Sequence, residues 1–274
     1  PFLTDGSVIL TGLLFALTLS PYTPWWVNLC GIVFAVMLVK HIYGGLGNNV
    51  FNPAMAGYVF VLLSFPAEMT RWPATRALQE PAAGFMDCLR LIFTGSAGET
   101  GIDAMTAATP LAYLQSQVSG MYMISEFIGE PAFGHMAGSG WEWVALAFLA
   151  GGCWLIFRKI IYWQVPASLI GSLFLISLVF HWLDGDVYAA PLFHVFTLST
   201  MLGAFFIATD PVSSATTARG RIIFASGVAV LAFSIRTWGS HPDGLAFAIV
   251  IMNCAVPVLD HYTRPRVLGE SIAD

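Results

Sequence analysis

Charge is what this sequence has least of. Its 274 residues include 11 lysines and arginines and 16 aspartates and glutamates, 10% of the chain, against roughly 25% in an average soluble domain. The net charge of −5 comes with no basic stripe, which excludes nucleic acid as a partner. Cysteine is equally sparse. Cys30, Cys88, Cys153 and Cys254 stand far apart and form no Cys-x-x-Cys, so spacing supports no iron–sulfur or zinc centre and no metal site is predicted. Most lie in apolar runs, where cysteine acts as a small hydrophobe. His41, His135, His181, His194, His241 and His261 never pair at helical spacing, so no haem ligand pair is read, although a single membrane histidine can serve a proton path. There is no initiating methionine: residue 1 is proline, and a preceding segment is expected. What abounds is apolar surface, 57% of residues with a mean hydropathy of +0.75. A soluble core of this size cannot hide that much, which leaves an all-α polytopic membrane protein.

Apolar runs predict eight spans, at about 7–20, 25–41, 52–66, 141–157, 164–182, 192–208, 221–237 and 244–261. The expected organisation is membrane spans of a first half in 1–66, an extramembrane region in 67–140, and spans of a second half with a short tail in 141–274. Two breaks stand out, Gly44-Gly45-Leu46-Gly47-Asn48-Asn49-Val50-Phe51-Asn52-Pro53-Ala54-Met55 and Ala208-Thr209-Asp210-Pro211-Val212-Ser213-Ser214. Each puts a small polar residue directly before proline. Helix capping and turn chemistry explain each break alone. Together they suggest a duplication, and two further spans ahead of residue 1 would make ten, as two five-span inverted repeats. An ionisable group within a span is a functional candidate by default. That applies to Asp210, His194 and Asp260, with Asn52 and Asn253 as polar neighbours. The plainer reading has Asp210 capping a helix break and Asp260 at the interface.

The positive-inside rule sets orientation. One side has Lys40, Arg158, Lys159, Arg219, Arg221, Arg264 and Arg266 in short loops; the other has Arg71, Arg76, Arg90 and Arg236 spread over more chain, with acids including Glu68, Glu80, Asp87, Glu99, Asp103, Asp184 and Asp186. The first side is therefore cytoplasmic, and 67–140 faces outward, to a bacterial periplasm. Trp25, Trp26, Trp141, Trp143 and Trp163 fall at predicted span ends, as an interfacial belt does.

The outer interval contains Asp103-Ala104-Met105-Thr106-Ala107-Ala108-Thr109-Pro110-Leu111. On its residues alone this is a turn leading into a helix, with Pro110 at the helix start, Thr109 extended before it, and Thr106 or Thr109 as N-cap. The stretch also resembles the flavinylation motif Asp-x-x-(Ser/Thr)-(Gly/Ala)-Ala-Thr of the D subunit of the Rnf ion-translocating electron-transport complex, with alanine at 107 where glycine is frequent. The B subunit of the sodium-pumping NADH:quinone reductase is similar. The segments Asn48–Met55 and Ala208–Ser213, and the tail from Gly244 to Arg266 with Asn253 and Tyr262-Thr263-Arg264-Pro265, resemble the same family, in family order and over nearly the whole chain.

The resemblance implies FMN esterified through its phosphate to Thr109, with Ala107 and Ala108 giving a flavin transferase access and Asp103 and Thr106 serving recognition. It implies no catalytic residue in the ordinary sense: this is a redox subunit, incomplete alone, relaying electrons to a flavin on the neighbouring G subunit. The whole complex would exchange electrons between ferredoxin and NAD, coupled to ion movement, in the bacterial inner membrane. A second, noncovalent flavin such as riboflavin is expected by analogy, and Asn52 and Asp210 are candidates for its site or for an ion path. The alternatives are the quinone-reductase B subunit, a small-solute channel or transporter of similar fold, and a plain membrane anchor.

Overall fold

The computed structural model describes residues 6–42, 47–73, 84–95 and 101–264. The chain there is mostly helical. Helix α1 covers Ser7–Thr18 and α2 covers Trp25–Val33, continuing as a π-helix over Phe34–His41. Helix α3 (Pro53–Ser64) follows the first break and leads into α4 (Pro66–Met69). Three helices long and apolar enough to cross a membrane are α10 (Gln164–Leu183), α13 (Ala218–Trp238) and α14 (Leu245–Thr263). α1, α2 with its π-helix, α3 and α9 (Trp141–Phe157) are shorter apolar helices at predicted positions.

The predicted span 192–208 is not continuous. It is divided into α11 (Pro191–Val195), α12 (Leu198–Leu202) and a π-helix over Gly203–Ile207. The cause lies at Thr197, whose backbone is extended (ψ 143°) and whose hydroxyl donates to the His194 carbonyl at 3.1 Å. That bond gives a carbonyl at the end of α11 a partner outside the helix. Both π-helices run directly into one of the two breaks.

The main core is built by α1, α3, α9, α10 and α12–α14, with Phe224, Phe233 and Leu169 fully enclosed. Close approach needs glycine in places: a Cβ on Gly57 of α3 would stand 2.9 Å from the Gly31 carbonyl of α2. The opposite faces stay apolar and uncovered, as Ile9 at 78%, Phe157 at 82% and Trp182 at 84% exposure illustrate. Such bare apolar surface suits a lipid environment and not water.

The described residues of the interval 67–140 are folded. It contains α5 (Phe85–Thr94), α6 (Ile102–Met105), α7 (Pro110–Ser119) and α8 (Ile124–Phe127). Two short strands, Trp72–Pro73 and Thr106–Ala107, pair antiparallel with Trp72 opposite Ala107 and Pro73 opposite Thr106, and a single antiparallel bridge joins Phe133 to Gly138. A small core of Leu114, Ile124, Phe127, Phe133 and Ala137 continues onto Phe193 of α11, so this cap is anchored to the helical body.

Two cations differ from their expected role as loop charges. Lys40 is buried at the end of its π-helix, where its ammonium donates to the Ser7 hydroxyl, and Arg236 is buried at the end of α13. Removing both from the count leaves the asymmetry in the same direction. Gly44, Gly45, Leu46, Arg76, Glu80, Glu99, Pro265 and Arg266 lie outside the described residues.

Candidate functional site

Thr109 is the N-cap of α7. Its backbone is extended (φ −64°, ψ 156°), Pro110 follows in the first turn, and its Oγ1 accepts from the Ala112 N–H at 3.2 Å. Threonine before proline produces this locally: proline biases its predecessor away from helix and needs no hydrogen bond at the first helical position. Thr106 is not an N-cap; it stands at the C-cap position of α6. Its hydroxyl donates to the Ile102 carbonyl at 3.1 Å, and its backbone belongs to the strand paired with Pro73. Asp103 lies in α6.

Helix α7 is held from two sides. Gln115 donates to the Gly239 carbonyl at 2.7 Å, and Tyr113 donates to Glu130 at 2.5 Å. The Glu130 carboxylate that accepts this bond raises the phenol above its ordinary value. Gly138 approaches the start of α7 so closely that a Cβ there would stand 2.2 Å from Pro110 Cγ.

Ala108, Thr109 and Pro110 form part of the wall of a cavity of about 360 Å³. Much of the remaining wall comes from α1, α3, α4, α9 and α12 and from the turn before α14, with Trp72, Gly138, Ile207 and the first turns of α7 and α14. It is mainly apolar and aromatic, with Tyr58, Leu62, Trp72 and Trp141, and Trp72 meets Trp141 edge to face at 6.2 Å. One corner is polar, made by Thr197, Ser199, His241 and Asp243. Behind it Arg236 donates to the His194 carbonyl (3.2 Å), Ser199 Oγ (3.1 Å), Thr200 Oγ1 (3.0 Å) and Asp243 Oδ1 (3.2 Å). His194 is buried behind this corner and is not on the cavity wall.

The two breaks form a second cluster. Asn52 caps α3, accepting from the Met55 N–H at 3.1 Å, and its Nδ2 donates to the Ile207 carbonyl at 3.3 Å. Asn253, in the amide orientation its surroundings dictate, donates to the Ile249 and Ser213 carbonyls at 3.1 Å each and accepts from the Asn52 N–H at 2.8 Å. Asp210 accepts from Val212 N–H (3.3 Å) and the Ser213 hydroxyl (2.7 Å), the geometry of a turn cap. Asp260 accepts from Thr216 N–H at 2.9 Å. Asn52 and Asp210 therefore do not line the cavity beside Thr109; the two clusters adjoin at Met55 and Ile207.

Residues 1–269 match the NQR2, RnfD, RnfE family. The chain belongs to this family. Among its relatives are proteins named as the D subunit of an ion-translocating oxidoreductase complex. The one from Pseudomonas aeruginosa (strain LESB58) is 50% identical over 100% of this chain and 77% of the relative. The protein of that name in Escherichia coli O1:K1 / APEC is 46% identical over 97% and 78%, and in Aliivibrio salmonicida (strain LFI1238) 44% identical over 98% and 79%. For this member of the NQR2, RnfD, RnfE family, the sequence places Thr109 at a helix start, where it stands, and gives no sign of the Arg236–Asp243 pair. An arginine seven residues before an aspartate across a turn reads as two loop charges, and only burial distinguishes it from that.

Proposed function

We propose that this chain is a membrane flavoprotein subunit of an ion-translocating oxidoreductase complex, of the D type its relatives' names indicate, with FMN esterified to Thr109. The observation that carries this reading is that Thr109 both caps α7 and stands on the wall of the cavity of about 360 Å³. The residues present fit the group. Thr109 is half-buried, and its oxygen serves as an acceptor toward Ala112, which leaves its proton uncommitted to that bond. A phosphate there would stand at the N-terminus of α7, where unpaired N–H groups and the positive end of the helix dipole favour an anion. The cavity lies within the roughly 300–1,000 Å³ of small-molecule pockets, and Tyr58, Trp72 and Trp141 offer aromatic faces to a planar ring.

The flavin, when bound, supplies the redox chemistry, and the protein positions it and tunes it. Ala107 and Ala108 keep the approach to Thr109 open to a flavin transferase. Thr106 shapes the loop through its bond to Ile102, and Asp103 would act in recognition. In this reading the cap of residues 67–140 faces the periplasm across the inner membrane and exchanges electrons with a flavin of the neighbouring G subunit. The cluster of Asn52, Asp210 and Asn253 is the candidate for a second flavin such as riboflavin or for an ion path. The two breaks, each preceded by a π-helix, suit two related inverted halves.

The test uses Thr109→Asn and Thr109→Val, produced with the rest of the complex and an active flavin transferase. Asparagine is as good an N-cap as threonine but offers no hydroxyl to esterify. Both variants should lose flavin fluorescence at this subunit's mass on a denaturing gel, and Thr109→Asn should assemble fully. Thr106→Val should remain labelled. Mass spectrometry of the peptide of residues 91–158 should find FMN on Thr109; an unmodified wild-type peptide would return the channel reading to first place.

A further inference from the structure

We propose that the corner formed by Ser199 and Asp243, with Arg236 behind it, receives the polar pyrimidine edge of the flavin carried by Thr109, and that the opposed charges of Arg236 and Asp243 set its midpoint potential. This rests on Thr109 carrying FMN. Its own observation is that the cavity holding Thr109 has one polar corner, where the start of α12 meets the turn between α13 and α14.

A flavin ring is amphipathic. Its dimethylbenzene end is apolar, while its pyrimidine edge presents two carbonyl acceptors and one N–H donor. With the phosphate tethered at Thr109, the ring enters a space lined by Leu17, Leu62, Trp72 and Trp141. A buried polar edge needs partners. Asp243 is the one carboxylate on the described cavity wall, and its side chain keeps 34% of its exposure. It supplies the acceptor for the ring N–H. The Ser199 hydroxyl supplies a donor: its contact to Thr197 Oγ1 is long at 3.5 Å, so its hydrogen can turn toward a ring carbonyl.

The charges then act on the ring's reduction. Reduction adds negative charge at the pyrimidine edge. Arg236, with a side chain only 1% exposed, interacts in a medium of low dielectric, where a charge acts more strongly than in water. It favours the reduced ring, and Asp243 opposes it. A capping role alone cannot account for the pair. Asp243 Oδ1 does accept from the Leu245 N–H at 3.2 Å, but asparagine or serine would cap as well and would need no buried guanidinium behind it.

The test is a spectroelectrochemical titration of the full chain in nanodiscs, labelled by a co-produced flavin transferase. Asp243→Asn keeps the cap and removes the negative charge; its midpoint should rise. Arg236→Gln leaves the carboxylate uncompensated; its midpoint should fall. Ser199→Ala, which removes a donor but no charge, should give a smaller shift. Opposite shifts in the first two variants are the signature, since a packing defect moves both in one direction. Arg236→Gln disrupts four hydrogen bonds, two of them buried, and is the variant at risk of misfolding, so Asp243→Asn decides alone if needed. Labelled Asp243→Asn protein with the wild-type midpoint would overturn the proposal. An unlabelled wild-type chain would instead overturn the Thr109 reading, and this inference with it.

Discussion

At the scale of single residues, Asn253 has a role no local pattern foretells. It sits in α14 four residues before Pro257, which has no N–H to give the Asn253 carbonyl. Its side chain joins the two breaks, with the Asn52 N–H on one side and the Ser213 carbonyl on the other. Asn253→Leu removes both partners inside the protein, at about 1–3 kcal/mol for each buried polar group left unpaired. Thermal unfolding in detergent should therefore give a clearly lower midpoint for Asn253→Leu, while Cys254→Ala, at an exposed neighbour, should stay near wild type. Thr109 is the contrasting case. Its position at a helix start follows from the Thr-Pro pair alone, and its half-buried hydroxyl contributes a cap, so Thr109→Val also costs stability, about 1 kcal/mol for a lost N-cap. Thr109→Asn avoids that cost.

Among the elements, α7 is the one whose setting matters most. It is clamped by Gln115 to the end of α13 and by Tyr113 to Glu130, and its first turn is met by Gly138. A methyl group at 138 would push Pro110 and with it Thr109. Gly138→Ala should therefore reduce flavin attachment at Thr109, read by in-gel fluorescence per mole of subunit. Gly129→Ala, where a Cβ meets nothing within 4 Å, should leave attachment unchanged. The division of residues 191–207 into α11, α12 and a π-helix escaped hydropathy because every piece is apolar. The break depends on Thr197 and Thr200 hydroxyls bonding the His194 carbonyl, and threonine is common enough within spans that its presence does not announce a break.

For the molecule as a whole, orientation is the open physical question with the most direct measurement. The charge asymmetry survives the loss of Lys40 and Arg236 to the interior, and it supports the proposed outward placement of the cap containing Thr109. Met121, at 95% exposure on that cap, and Arg158, just after α9, lie on opposite sides in this reading. With the native cysteines replaced by alanine, Met121→Cys in intact cells should react with a membrane-impermeant maleimide, and Arg158→Cys should react only after permeabilisation. The reverse pattern would invert the protein and remove the proposed periplasmic setting of Thr109.

The helical membrane character was legible in the sequence by itself, because scarcity of charge and long apolar runs are properties of composition. So were the positions of most apolar helices and the cap at Thr109, because hydropathy, proline geometry and N-capping act over a few residues. The tertiary structure alone decided what those pieces meet. It brought Asn52 to Ile207 and Asn253 across 155 and 201 positions of chain, and it turned Arg236 from a loop charge into a buried guanidinium. It also set Thr109 and Asp243 on one cavity wall. Contacts at such separations depend on how apolar faces pack, and many packings share one hydropathy pattern. The partner of a polar group in a membrane is fixed by which helix lies beside it, and that is information no single segment contains.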